Sequence, residues 1–176
     1  PVLSTKVRIA LAQDEAFSFF YEENRRLLEK MGAEVCLFSP IHDLELPKET
    51  DGLILPGGYP ELYAEALSEN HSMRKQVRRA CEGNMPVLAE CGGFLYLQKN
   101  LTYEGKTFDM AGALDGEGFQ TKSSVRFGYL DAAAEKPGLL GDAGVSIRGH
   151  EFHYFDCSNN GDGFTAKKPL SDRSYS

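Results

Sequence analysis

No apolar run in this sequence is long enough to span a bilayer, and its first residues hold no secretory apolar segment. A cytoplasmic location is therefore expected, with no membrane partner. Basic residues are in the minority: 19 Lys and Arg stand against 26 Asp and Glu, a formal charge of −7, and they form no long stripe. That balance argues against nucleic acid as a partner. The nearest thing to a basic patch is Arg74, Lys75, Arg78 and Arg79, whose spacing puts them on one side of a helix and which read as a solvated face. Cysteine is sparse. Positions 36, 81, 91 and 157 make no C-x-x-C pair, and His42, His71, His150 and His153 add no metal-binding pattern. No metal centre is expected, and the thiols should be reduced, so a cysteine in an unusual backbone setting becomes a candidate nucleophile. Internal repeats and low-complexity segments are also lacking.

The 176 residues, 41% of them apolar and 26% charged, are enough for one complete core, which reads as a single α/β domain. With no initiator Met at the start and a polar stretch over 171–176, the chain reads as a domain excised from a longer polypeptide. Residues 7–12 (VRIALA) form the continuous apolar run of a buried parallel strand. Asp14 is expected to start a helix carrying Phe17, Phe20, Leu27 or Leu28 and Met31 on one side, with Gly32 as its cap. Further strands are expected at 34–38, 52–55 and 87–89. A helix from about 61 to about 81, broken near Asn70, separates the last two. This alternation implies a doubly wound, mostly parallel sheet with helices on both faces. From about residue 101 the pattern changes to strand-like segments at 102–110, 125–132, 145–148 and 151–155, an antiparallel extension.

Chemistry concentrates where the fourth strand meets a short helix expected over 94–98. Glu90-Cys91-Gly92-Gly93 occupies the junction, so Cys91 should project from the carboxyl edge of the sheet, where open α/β sheets bind ligands. The helix start should lower the thiol pKa, and the Gly92 N–H could hold an oxyanion. Gly57 and Gly58, in the turn after the third strand, can supply a second donor to the same point. Cys36 in a strand, Cys81 at a helix end and Cys157 in a loop read as packing residues. For a base, the segment 149–154 offers two imidazoles. Period two puts His150, Phe152 and Tyr154 on one face and Glu151, His153 and Phe155 on the other, but spacing does not choose between His150 and His153.

Five ordered motifs together resemble the class I, or triad, glutamine amidotransferases, in the branch found at the C-terminus of cobyrinic acid a,c-diamide synthase. They are Asp14-Glu15-Ala16-Phe17 with Phe19-Phe20-Tyr21 and Asn24; Leu55-Pro56-Gly57-Gly58-Tyr59-Pro60-Glu61; Ala89-Glu90-Cys91-Gly92-Gly93 with Tyr96-Leu97; Phe127-Gly128-Tyr129; and Arg148-Gly149-His150-Glu151-Phe152-His153-Tyr154. The resemblance implies a flavodoxin-like fold, with Cys91 as nucleophile and Gly58 and Gly92 as oxyanion donors. It also chooses His153 as the base, because Phe152-His153 falls where the superfamily has Phe-His-Pro-Glu. Two positions depart from the pattern. The superfamily Glu falls at Phe155, leaving Glu151 as the candidate orienting residue, and the usual Gln four residues after the nucleophile is Leu95.

The implied activity is release of ammonia from glutamine through a Cys thioester. No cofactor is implied for this domain. An N-terminal synthetase domain using ATP and Mg²⁺ would amidate the a and c carboxylates of cobyrinic acid, and a homodimer of the longer enzyme is a further implied partner. The sequence contains no G-x-x-x-x-G-K-[ST] of its own. Three other readings compete: the same chemistry on another tetrapyrrole, as in a nickel sirohydrochlorin a,c-diamide synthase; a non-catalytic regulatory or interaction domain; and a stand-alone cysteine hydrolase.

Overall fold

The computed structural model describes residues 6–122, 126–169 and 174–175. Two compact units divide the chain, one ending at Glu117 and the other beginning at Gly118. The first holds a four-stranded, all-parallel sheet built from β1 (Val7–Ala12), β2 (Ala33–Phe38), β3 (Gly52–Leu55) and β4 (Val87–Ala89) in the order β2-β1-β3-β4. These are the short apolar runs of the sequence, as parallel strands covered by helices require. The order reverses between β1 and β3, which opens a crevice at their carboxyl ends.

Helix α1 (Glu22–Lys30) is shorter than expected, because Asp14 does something else. Its Oδ1 accepts from the Ala16 and Phe17 N–H groups at 2.9 and 3.2 Å, and its Oδ2 accepts from the Ser39 hydroxyl and the Ile41 N–H at 2.8 and 2.9 Å. An aspartate that satisfies local backbone donors in this way holds a turn instead of opening a helix. Residues 13–21 are thus a structured loop, with Phe17 fully buried against the equally buried Tyr96, ring centroids 5.5 Å apart.

After β3 a 3₁₀ turn (Pro60–Tyr63) runs into α2 (Ala64–Glu69) and α3 (His71–Glu82), with the expected break at Asn70. The Asn70 side chain accepts from the Met73 N–H at 3.2 Å, capping α3, and donates to the Pro40 and Asp43 carbonyls at 2.9 and 2.8 Å. Met73, Val77 and Ala80 bury one face of α3. Lys75, Arg78 and Arg79 are exposed as expected; Arg74 is not, since its side chain is only 16% exposed and lies 3.5 Å from Asp109. Helix α4 (Gly92–Leu97) follows β4 directly. The segment expected as one strand over 102–110 is instead a hairpin, β5 (Asn100–Tyr103) and β6 (Lys106–Asp109), turning at Glu104 and Gly105, both with positive φ. The antiparallel pattern thus begins at residue 100, as expected, while the boundary between the two compact units falls at 117–118.

The second unit is antiparallel throughout its described strands. Strand β7 (Glu117–Gln120) pairs with β10 (Phe155–Cys157). Strands β8 (Arg126–Ala134), β9 (Ser146–His153), β11 (Phe164–Lys167) and β12 (Ser174–Tyr175) form a sheet in the order β12-β11-β8-β9. The two strands expected over 145–148 and 151–155 are one continuous β9, and Cys157 closes β10 instead of lying in a loop. Val125, the expected start of a strand, and most of the polar stretch at 171–176 lie outside the described residues. No described helix is long and apolar enough to cross a membrane.

Candidate active site

Register builds the first half of the site. Leu55 and Ala89 are paired across β3 and β4, so the turns that follow leave the sheet at the same height and Gly57 comes level with Cys91. A Cβ on Gly57 would sit 3.6 Å from the Cys91 Cβ and 3.5 Å from that of Phe19. The loop after β1 is tied to the same turn: the Phe19 N–H donates to the Gly57 carbonyl at 3.0 Å, and the Tyr59 N–H donates to that of Ala16 at 3.0 Å. Gly57, Gly58, Cys91 and Gly92 are therefore brought together, with the Phe19 loop as a third wall that the periodicity of the sequence concealed.

The glycines are required by contact. A Cβ on Gly93 would lie 2.0 Å from the Leu55 carbonyl oxygen, one on Gly58 2.0 Å from that of Ala16, and one on Gly92 2.8 Å from Pro60 Cδ and 3.2 Å from the Gly58 nitrogen. The Gly93 N–H donates to the carbonyls of Pro56 and Glu90, at 3.0 and 2.8 Å, locking α4 beneath the turn. Cys91 itself sits at φ 48°, ψ −108°, a conformation that L residues adopt only where surrounding structure forces it. Hydrolases use a strained strand-to-helix elbow of this kind to lift a nucleophile clear of the sheet.

Cys91 is exposed, yet its sulfur is crowded enough that partial desolvation pushes the thiol above the ordinary cysteine value. A hydrogen bond from the Gly92 N–H works the other way, and the carboxylates of Glu61 and Glu90 add to the rise. The expectation that the helix start would lower this pKa is thus corrected: α4 is only six residues long, and burial together with two acidic neighbours outweighs it. Burial also raises the Glu61 carboxyl. Leu95 is buried in the core and presents no polar group.

His153 and Glu151 belong to the second unit. Exposure alternates strictly along β9, leaving His150 on the exposed face and Glu151 and His153 on the half-buried one. Glu151 does not orient the imidazole. Burial alone would raise its carboxyl; hydrogen bonds from Lys168 Nζ, 2.8 Å away, and the Tyr175 hydroxyl, with the charge of Arg126 at 3.9 Å, outweigh this and hold it below the usual carboxylate range. The His153 Nδ1 instead meets the backbone carbonyl oxygen of Phe155 at 2.6 Å. A carbonyl only accepts, so Nδ1 carries a proton, and in the neutral ring the lone pair is then on Nε2. The side chain at 155 has no orienting group, but its main chain has. Sequence reasoning missed this because every residue has a carbonyl and only the bend between β9 and β10 aims this one.

Residues 8–167 match the family described as CobB/CobQ-like glutamine amidotransferase domain. The chain belongs to that family. Among curated relatives, the cobyrinate a,c-diamide synthase of Caldanaerobacter subterraneus is 48% identical over 150 residues, 85% of this chain and 33% of that protein. The protein of the same name from Picrophilus torridus is 40% identical over 163 residues, 93% of this chain and 36% of that one. The chain thus spans about a third of the length of these relatives. Among solved structures, PurLQS from Thermotoga maritima superposes with a TM-score of 0.63 at 18% identity, covering 93% of this chain and 76% of that one. A structure described as a glutamine amidotransferase gives 0.56 at 18% identity, with 82% and 70% covered. These likenesses establish the glutamine amidotransferase fold, and the family match makes this a glutamine amidotransferase domain.

Proposed function

We propose that this domain hydrolyses glutamine through a thioester on Cys91 and delivers the ammonia to a synthetase that amidates the a and c carboxylates of cobyrinic acid. The observation that carries the reading is the elbow itself. Cys91 occupies a strained backbone conformation with the Gly92 N–H on its sulfur, beside a Gly58 N–H that makes no hydrogen bond among the described residues. Main-chain N–H groups of Gly58 and Gly92 beside an exposed thiol support an oxyanion site of the kind acyl transfer uses.

In this mechanism the thiol gives its proton to Nε2 of His153, and the sulfur adds to the carboxamide carbon. The oxyanion is held by the Gly58 and Gly92 amides. Collapse breaks the C–N bond as the imidazolium protonates the departing ammonia. Water, deprotonated by the same imidazole, then attacks the thioester and releases glutamate with the free thiol. A raised thiol pKa in the resting site suits this order of events, because the proton leaves when substrate and base are both in place. The carbonyl of Phe155, holding Nδ1–H, supplies the orientation that a carboxylate supplies elsewhere.

Relatives that carry the name cobyrinate a,c-diamide synthase support the substrate. The length that this chain does not cover leaves room for a synthetase using ATP and Mg²⁺. Glutamate release by the full synthase, measured for wild type, Cys91→Ser and His153→Ala, tests the reading. Loss of release in both variants is expected, while a Cys91→Ser protein as fast as wild type removes the nucleophile.

A further inference from the structure

Where β8 begins and β9 ends, the outward face of the pair is aromatic. In an antiparallel pair with one wet face, the apolar side chains belong inside. Over this stretch the half-buried face carries Arg126, Glu151 and His153, and the exposed face carries Phe127, Tyr129, His150 and Phe152, continued by Tyr154 just past β9. Further along the ladder Leu130, Ala132 and Ile147 turn inward and the Asp131–Arg148 ion pair outward. The four phenyl and phenol side chains are between 51% and 68% exposed. They form one contiguous surface, because Phe127 is paired with Phe152 and Tyr129 with His150 across the ladder. His150 stands edge-on to Phe127 and Tyr129 at 5.7 and 5.2 Å, and Phe152 edge-on to Phe127 and Tyr154 at 5.7 and 5.6 Å. Four aromatics exposed to this degree present roughly 500 Å², as large as the biggest apolar patch of an ordinary monomer. That is more than half of what one partner contributes to a standard interface.

The inner face explains why the arrangement persists. Glu151, Lys168, Tyr175 and Arg126 form a charged, hydrogen-bonded layer, with the Arg126 guanidinium 4.2 Å from the centre of the Tyr175 ring. A stretch of ladder whose charges are satisfied on one side and whose rings interlock on the other is a pre-formed docking plate, since little side-chain entropy remains to be lost on binding.

We propose that this aromatic face is where the synthetase part of the longer enzyme docks, an inference that rests on the function assigned above. The relatives carry about two-thirds of their length outside the region matched here, so the occupant is available on the same polypeptide. A second copy of this chain is the poorer occupant, because each copy brings a formal charge of −7. The docked surface is apolar, with an acceptor for the His150 ring N–H or the Tyr129 hydroxyl. Docking also bears on catalysis: the plate is the front of the strand whose back carries His153, so a partner seated on it fixes the base as it receives the ammonia.

The test uses the full synthase. A photo-crosslinking benzoylphenylalanine in place of His150 is expected to join β9 to synthetase peptides of the same chain. Crosslinks to a second copy, seen as a doubled mass, or no crosslink at all would overturn the proposal. Phe127→Ser with Phe152→Ser is expected to lower glutamine-supported amidation by about tenfold or more while ammonia-supported amidation holds. Leu44→Ser, which removes an equally exposed apolar side chain in the first unit, should change neither. Equal glutamine-supported rates in the double variant and wild type count against the plate. Should wild type fail to use glutamine at all, the glutaminase reading falls, and the crosslink still decides the docking.

Discussion

Nδ1 of His153 lies 2.6 Å from the main-chain carbonyl oxygen of Phe155, two residues further along the chain. The contact fixes the tautomer without an acidic residue, leaving Nε2 unprotonated when the ring is neutral. His153→Asn should keep the contact, because the asparagine amide can donate to the same carbonyl, while removing the base. The variant is expected to melt within about 0.5 kcal/mol of wild type and to lose about 10²- to 10⁴-fold in glutamate release. Long-range proton–nitrogen NMR correlations should show His153 protonated on Nδ1 at pH 8; protonation on Nε2 would contradict the assignment.

Cys91 should alkylate slowly near neutral pH, with a rate still climbing above the range where ordinary thiols have levelled, because desolvation and the charges of Glu61 and Glu90 disfavour the thiolate. Glu61→Gln removes one of those charges, so its profile is expected to move toward lower pH. Mass-spectrometric tracking of the Cys91 peptide separates it from Cys36, Cys81 and Cys157. A profile unmoved by Glu61→Gln, or moved upward, would refute the electrostatic account.

Gly93→Ala and Gly58→Ala each drive a methyl to 2.0 Å of a backbone carbonyl oxygen, which no rotamer can relieve. Each is expected to cost about 3 kcal/mol in denaturant unfolding. Gly138, with open space around its would-be Cβ, is the control, and alanine there should stay within about 0.5 kcal/mol. Similar stabilities for all three would mean that the turns after β3 and β4 do not pack as described.

Glu151 links the second unit to pH. Its folded pKa is depressed, so its stabilisation is fully present above the unfolded carboxylate value and is lost as pH falls through the lower folded value. Unfolding followed from pH 6 down to pH 3 should show that loss in wild type. In Glu151→Gln the stability at pH 6 should be lower by about 2 kcal/mol, from the lost charge-assisted bonds to Lys168 and Tyr175, and this part of the acid dependence should flatten. An unchanged slope would assign the acid sensitivity to other groups.

The parallel sheet was legible in the sequence because its strands are short, largely apolar runs, and β1, β3 and β4 fall on the residues expected. The elbow was legible for the same local reason: a cysteine followed by two glycines at a strand end admits few backbone paths. Asp14 misled, because an aspartate before apolar residues at helical spacing serves equally as a helix cap or a loop tie, and only Ser39 and Ile41, brought alongside by β2, settle which.

Local pattern by itself determined which residues form strands, where the backbone must turn without side chains, and which face of β9 each histidine takes, since alternation follows from strand geometry alone. Only the tertiary structure decided that Glu151 is bound to Lys168 and Tyr175, that a main-chain carbonyl holds His153, that burial, with Glu61 adding to it, raises the Cys91 thiol, and that the aromatic face of β8 and β9 stays uncovered. These depend on distances between residues far apart in the chain or on the aim of a single bond at a bend, and neither quantity is written in the order of the amino acids.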